Sequence, residues 1–288
     1  MRLRTLPLST AGIVLGLMLA CREHSVPWYV IVLTILTTIC LQILSNMSNE
    51  LGDYQSGVDS EDREGPMYSL GNGNLSVDEL RRCIFFMVLA CCACGLGMIC
   101  ASFGIAPCVE SISLIVLGAL AIWAAMHYTL GSHPYGYRGL GDVFVFIFFG
   151  IVPVMGGFFV AAHSIDPLTV LPASAIGFFS VGVLNVNNIR DMKSDAANRI
   201  TIPLKLGLHR ARIYHTALIS AGWLLLTAYM ILQAHSIWAY MYVLTLPLYA
   251  KHLAGVWKRT DKALDPMLPL LVMSTFILSI LSGAGLLI

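Results

Sequence analysis

Nine apolar runs restrict this chain more than any other feature. They fall at residues 4–20, 27–48, 83–104, 109–131, 142–162, 167–189, 209–232, 237–256 and 267–287, each close to the roughly 20 residues that a helix needs to cross a bilayer. Composition agrees: 57% of the side chains are hydrophobic, only 11% are charged and the mean hydropathy is +0.78, against about 25% charged residues in ordinary soluble domains. The expected fold is an all-α, polytopic membrane bundle of nine transmembrane helices. It should form one domain over 1–288, because spans that share an interior count as a single unit. The run from Leu6 to Ala20 is followed by Cys21-Arg22-Glu23-His24 rather than by a small-residue cleavage site, so it is kept as the first span.

The distribution of charge supports this count and fixes an orientation. When the N-terminus and every second loop are assigned to one side, 16 of the 17 Lys and Arg fall there, leaving Arg22 opposite. By the positive-inside rule that side is cytoplasmic, which places the N-terminus in the cytoplasm and the chain in a cell (inner or plasma) membrane. Only Glu23, Glu110 and Asp166 of the 16 acids lie on the outer side. The long charged loops 49–82 and 190–208 therefore put any chemistry on the cytoplasmic face. A net charge of +1 argues against a nucleic-acid partner. The eight cysteines sit mostly in apolar runs without a zinc-like set and read as packing residues.

Two of the runs end in matched polar stripes. Asn46, Asn49 and Asp53 follow the second span, and Asn188, Asp191 and Asp195 follow the sixth. Both sets have i, i+3, i+7 spacing, which puts their side chains on one helical face. An Asp within a membrane helix costs about 2.5–3.5 kcal/mol on insertion scales and usually faces a cavity or a partner. Two opposed carboxylate stripes repel unless a cation lies between them, and hard oxygen donors suit Mg²⁺ shared with substrate phosphates. Asn49, Asp53, Asp191 and Asp195 are thus the candidate catalytic and metal-binding set, with Asp59 and Asp62 extending it. Around them Arg63, Arg199 and Lys205 are candidates to hold a diphosphate, and Asn188 within the second stripe and Lys193 beside it are substrate-binding candidates.

The pair Asn49-x-x-x-Asp53 and Asp191-x-x-x-Asp195 on nine spans resembles the UbiA superfamily of intramembrane aromatic prenyltransferases. The opening Arg2-x-x-Thr5-Leu6-Pro7, the extended motif running from Asn49 through Asp53, Asp59, Asp62 and Arg63 to Pro66, and the loop Pro134-Tyr135-Gly136-Tyr137-Arg138-Gly139-Leu140-Gly141-Asp142 are most similar to its naphthoate branch. Glu50 stands where that pattern usually has Asp, Gly57 where the wider superfamily has a third Asp, and Arg199-Ile200-Thr201 where Lys-Arg-Thr is expected. The resemblance implies a Mg²⁺-dependent enzyme that moves a polyprenyl group from polyprenyl diphosphate to 1,4-dihydroxy-2-naphthoate, with loss of CO2 and diphosphate, giving a demethylmenaquinone. Related acceptors such as 4-hydroxybenzoate would use the same metal site.

Within that expectation Arg138, the one cation in its glycine-rich loop, is assigned to the acceptor carboxylate or the diphosphate. Tyr128, Tyr135, Tyr137, Phe178 and Phe179 are aromatic candidates to shield an allylic cation. His127, His133 and His209 do not cluster and read as loop or core residues. A transporter would instead predict broken helices near the midplane, whereas here the polar groups sit at span ends on one face. An inert scaffold leaves the matched stripes unexplained.

Overall fold

The computed structural model describes residues 3–57, 69–132, 134–196 and 199–288; Asp59, Asp62, Arg63 and His133 lie outside them. The nine apolar runs are all helical, and no strand occurs among the described residues. The first four helices are α1 (Leu6–Cys21), α2 (Trp28–Gln55), α3 (Val77–Phe103) and α4 (Val109–His127). A composite rod follows, in which α5 (Gly141–Phe146) and α6 (Val152–Ala162) are joined by a π-helical turn, Ile147–Ile151. Next come α7 (Val170–Arg190), the short α8 (Met192–Asp195) and α9 (Ile202–Leu206), and then α10 (Leu208–Gln233). The 3₁₀ stretch Ile237–Thr245 leads into α11 (Leu246–Lys258), and α12 (Met267–Leu287) closes the chain.

Seven of these helical units among the described residues are long and apolar enough to cross a bilayer by length and composition. The two remaining runs differ from the expectation of nine for physical reasons. α1 has 16 residues, about 24 Å at 1.5 Å per residue, which falls short of a hydrocarbon core of about 30 Å. It is sheathed by α2, α6 and α12 and buried along most of its length, so its apolarity serves a protein interior. The eighth run is split where Pro247 follows the 3₁₀ stretch, because proline lacks the N–H that an uninterrupted helix would use.

Local chemistry sets the helix ends. Ser76 and Glu79 form a capping box on α3, with Glu79 N donating to Ser76 Oγ at 3.3 Å and Ser76 N to Glu79 Oε2 at 2.8 Å. In the interior, α7 has 61% of its apolar window buried, against 17% for α3 and for α4. It is the central helix, and α3 and α4 are peripheral. One core cluster joins α1, α6, α7 and α10–α12 around Leu15, Phe179, Tyr242, Tyr249 and Leu271; a second joins α2 and α3 around Leu44, Leu51, Leu80 and Ile84.

Close approach depends on small residues, as in other membrane bundles. A Cβ on Gly150, in the π turn, would run into the backbone of Gly177 in α7. Gly150→Val is therefore expected to lower stability by about 1–3 kcal/mol, read as a drop in the thermal unfolding midpoint of the detergent-solubilised protein.

Candidate active site

α2 outlasts its apolar run by nearly two turns, so Asn49 and Asp53 are still helical where the chain leaves the apolar region. Gly52 makes room for this: a Cβ there would lie 2.6 Å from Thr129. Buried Thr129 donates to the Ser48 carbonyl at 3.0 Å and to Asn49 Oδ1 at 3.2 Å, which orients the Asn49 amide. Asn46 accepts from Gln42 Nε2 at 3.1 Å and from Thr5 Oγ1 at 3.4 Å, so it binds the N-terminal segment to α2. Glu50 is buried and its Oε1 accepts the Leu70 N–H at 3.0 Å. It holds the loop before α3, which gives Glu in place of Asp a structural use.

The second stripe is not one unbroken helix. α7 stops at Arg190, Asp191 takes φ −93° and ψ 11°, and the four-residue α8 follows. Asn and Asp side chains that compete for local backbone hydrogen bonds favour such a break. Asp191 is gripped by its neighbour: Arg190 Nε donates to Oδ1 and Nη2 to Oδ2, both at 2.7 Å. Arg190 also reaches Asn187 Oδ1 at 2.9 Å and Asp265 Oδ1 at 2.8 Å, and Arg4 Nη1 reaches Asp265 Oδ2 at 2.9 Å. This chain of charges pins the N-terminal segment and the start of α12 to the end of α7.

The stripes converge on Arg199. Its guanidinium pairs with Asp53 Oδ1 and lies 3.7 Å from Asp195 Oδ1, while Asp53 and Asp195 are only 1% and 2% exposed. The Tyr137 hydroxyl donates to Asp53 Oδ1 at 2.8 Å and sits 2.9 Å from Ser56 Oγ. Arg199 lies over the Tyr137 ring, 4.7 Å from its centroid. The Ile200 N–H bonds to the Tyr137 carbonyl at 2.9 Å, fixing the two loops together. Burial pushes the Arg199 pKa down, but the Asp53 and Asp195 carboxylates outweigh it and hold the pKa above its usual value, so the cation stays charged. Burial, then the Asp53 charge, push the Tyr137 hydroxyl well above the usual tyrosine range; it remains a donor.

No group of three His, Cys, Asp or Glu side chains among the described residues is placed to hold a metal by itself. What the stripes offer is two half-sites of hard oxygen atoms, Asn49 with Asp53 and Asp191 with Asp195. That set fits a Mg²⁺ ion, which takes one or two carboxylates and completes its shell with phosphate oxygens and water.

A cavity of about 620 Å³ opens from these stripes into the bundle. Asn49, Asn188, Arg190 and Arg199 line its polar end, and α1, α4, α6 and α12 supply an apolar wall. Tyr128 and Tyr135 line it as well, edge to face at 5.4 Å. Phe179 instead packs in the core on Tyr249 at 5.0 Å, and Phe178 on Phe146 at 5.0 Å. Arg138 and Lys205 are exposed, and Lys193 is exposed and paired with Asp261 at 3.1 Å. His127 stacks on Trp123 and His209 packs on Trp257. Sequence reasoning did not single out Thr129, Arg190 as the clamp on Asp191, Asp265, or the cavity-lining Asp142. The signal for Asp142 was a carboxylate opening an apolar run.

A long apolar cavity that ends in a buried, oxygen-rich and charged head defines a polytopic membrane protein built to receive an amphiphile with an anionic head. Residues 9–280 match the family model described as the UbiA prenyltransferase family, and the chain belongs to that family. It is 40% identical to 1,4-dihydroxy-2-naphthoate octaprenyltransferase of Haemophilus influenzae, over 100% of this chain and 94% of the relative. It is 36% identical to the protein of the same name from Escherichia coli, over 99% and 92%. Among solved structures it is similar to a UbiA homolog from Archaeoglobus fulgidus bound to GPP and Mg²⁺, with a TM-score of 0.65 and 16% identity over 99% of this chain and 97% of that one. At that identity the likeness shows the shared fold.

The Arg190–Asp191 pair is nearly solvent-free, at 4% and 3% side-chain exposure. Arg190→Met, which strands a buried carboxylate, is expected to destabilise the protein by about 3–5 kcal/mol, measured by thermal unfolding against the unaltered chain.

Proposed function

We propose that this chain transfers a polyprenyl group from polyprenyl diphosphate to 1,4-dihydroxy-2-naphthoate, releasing CO2 and diphosphate and giving a demethylmenaquinone in its reduced, quinol form, with Mg²⁺ as cofactor. The observation that carries the reading is the joining of two acidic helix ends at the mouth of an apolar cavity, in a chain 36–40% identical over nearly its full length to two enzymes named for that acceptor. The chain acts as one unit over 1–288, crosses the cell (inner or plasma) membrane nine times from a cytoplasmic N-terminus, with α1 crossing inside the bundle against α2, α6 and α12 rather than against lipid, and faces its active site to the cytoplasm. The lopsided distribution of Lys and Arg supports that orientation.

In this reading Asn49, Asp53, Asp191 and Asp195 hold the metal, with Asp59 and Asp62 extending the set. Bound Mg²⁺ neutralises charge that builds on the departing diphosphate. Arg199 moves its charge from Asp53 toward the diphosphate, and Arg63, Lys205 and Lys193 add cationic reach from the loops. Asn188 and Tyr137 orient the head group. The cavity wall excludes water from the allylic cation, whose positive charge the faces of Tyr128 and Tyr135 stabilise. Arg138, on the exposed loop, attracts the anionic acceptor as it approaches.

Asp53→Asn is expected to lower turnover by about 10²–10³-fold, the range for losing one preorganised electrostatic group, while the protein stays folded and inserted. The assay is radiolabelled polyprenyl diphosphate with Mg²⁺ and each acceptor in turn. Lipid product with 4-hydroxybenzoate and none with the naphthoate would reassign the acceptor, and an Asp53→Asn rate near that of the unaltered chain would refute the metal assignment.

A further inference from the structure

Two carboxylates that line the cavity belong to neither stripe, Asp142 and Asp265; Asp265 is taken up by Arg190 and Arg4, which leaves Asp142. Asp142 opens α5 and lines the cavity, and its Oδ2 accepts the Tyr214 hydroxyl of α10 at 2.8 Å. The bland account is an acid in a first helical turn, favoured by the helix dipole. That account requires neither a tyrosine partner from another helix nor a place on the wall of an intramembrane cavity. An ionisable group there is expensive and generally serves a function. A carboxylate has two oxygens and about four lone-pair sites, so the Tyr214 bond orients Asp142 without exhausting it.

Asp142 is beside a surface suited to a flat ring. Tyr135 stacks on Phe144 with centroids 3.9 Å apart, and Tyr128 stands edge-on to Tyr135; all three line the same cavity. The glycine loop brings them together, since a Cβ on Gly136 would collide with Tyr128 and one on Gly141 would press on its hydroxyl at 3.0 Å.

We propose that Asp142 is a catalytic residue of the transfer, the base that ionises the acceptor hydroxyl next to the ring carboxylate, with Tyr214 as its positioning residue. This rests on the naphthoate reading given above. Asp142 takes the proton of the 1-hydroxyl. The C–O bond to diphosphate breaks, diphosphate leaves with that bond's pair, and the electron pair of the ionised hydroxyl drives the carboxylate-bearing ring carbon onto C1 of the allylic cation. The 1-oxygen is now a ketone β to the carboxylate. The ring–carboxylate bond breaks, CO2 departs, and the pair returns to the ring as a naphtholate, which recovers its proton from Asp142. No further reactant is needed, and the carboxylate ends as it began.

The test uses the full-length protein in nanodiscs with Mg²⁺, polyprenyl diphosphate and 1,4-dihydroxy-2-naphthoate. Asp142→Asn is expected to lose about 10²–10⁴-fold in kcat, with KM for the diphosphate changed by less than about twofold and the unfolding midpoint retained. Asp142→Glu should recover part of the rate. An acceptor with an electron-withdrawing ring substituent, whose hydroxyl ionises unaided, should narrow the gap between Asp142→Asn and the unaltered chain by about tenfold or more. A variant rate within about twofold of the unaltered chain overturns the assignment, as does a loss that neither Glu nor the more acidic acceptor relieves. If Asp142→Asn fails to fold, Tyr214→Phe decides: a fall in kcat reversed by the acidic acceptor supports the base, and no fall overturns it. Inactivity of the unaltered chain toward the naphthoate, with activity toward another acceptor, refutes the functional reading itself.

Discussion

Charge balance between two helix ends that meet out of water governs the site. Asp53 and Asp195 come from helices 142 residues apart in sequence and are almost solvent-free, where unpaired carboxylates would be very costly. Arg199 supplies the compensating charge, and Tyr137 stacks under it while donating to the same Asp53 oxygen. The loops that carry these two residues are consequently tied together, with the Ile200 N–H on the Tyr137 carbonyl. A second balance is built one turn away, where Arg190 satisfies both Asp191 oxygens and reaches Arg4 through Asp265.

These polar arrangements are affordable because the rest of the bundle is closely packed and apolar. α7 runs through the centre, touches α10, α12 and the π turn, and delivers Asn187, Asn188 and Arg190 to the cavity wall. The π turn lies beside that wall, and bulges of this kind often mark functional segments of helices. Gly150 and Gly177 let the two backbones approach, so α7 is held close to the composite α5–α6 rod that carries Asp142 and Phe144. Backbone packing and the position of the acceptor surface are thus one problem.

Much of this was legible in the sequence, and the failures have identifiable causes. The polar stripes were readable because i, i+3, i+7 spacing is a local property of one helix. The break at Asp191 lay inside one of them and left its face largely intact. The length of the runs gave the helices but not what surrounds each, since apolarity against protein, as along α1, and apolarity against lipid look the same in a sequence. Loop side chains fared worst. For these the sequence carries no direction: Arg138, beside Gly139 at φ 80°, is exposed, whereas Arg199, with no helix to set its direction, is folded inward onto Asp53.

The sequence by itself determined the membrane-bound helical class and the two acidic helix ends, since hydrophobic length and helical periodicity act over a few neighbouring residues. Only the tertiary structure decided that Arg199 would join Asp53 and Asp195, that Arg190 would clamp Asp191, and that Asp142 and Tyr214 would meet at the cavity. Those contacts bring together loops and helices far apart in the chain, and their geometry is fixed by how closely the helices pack.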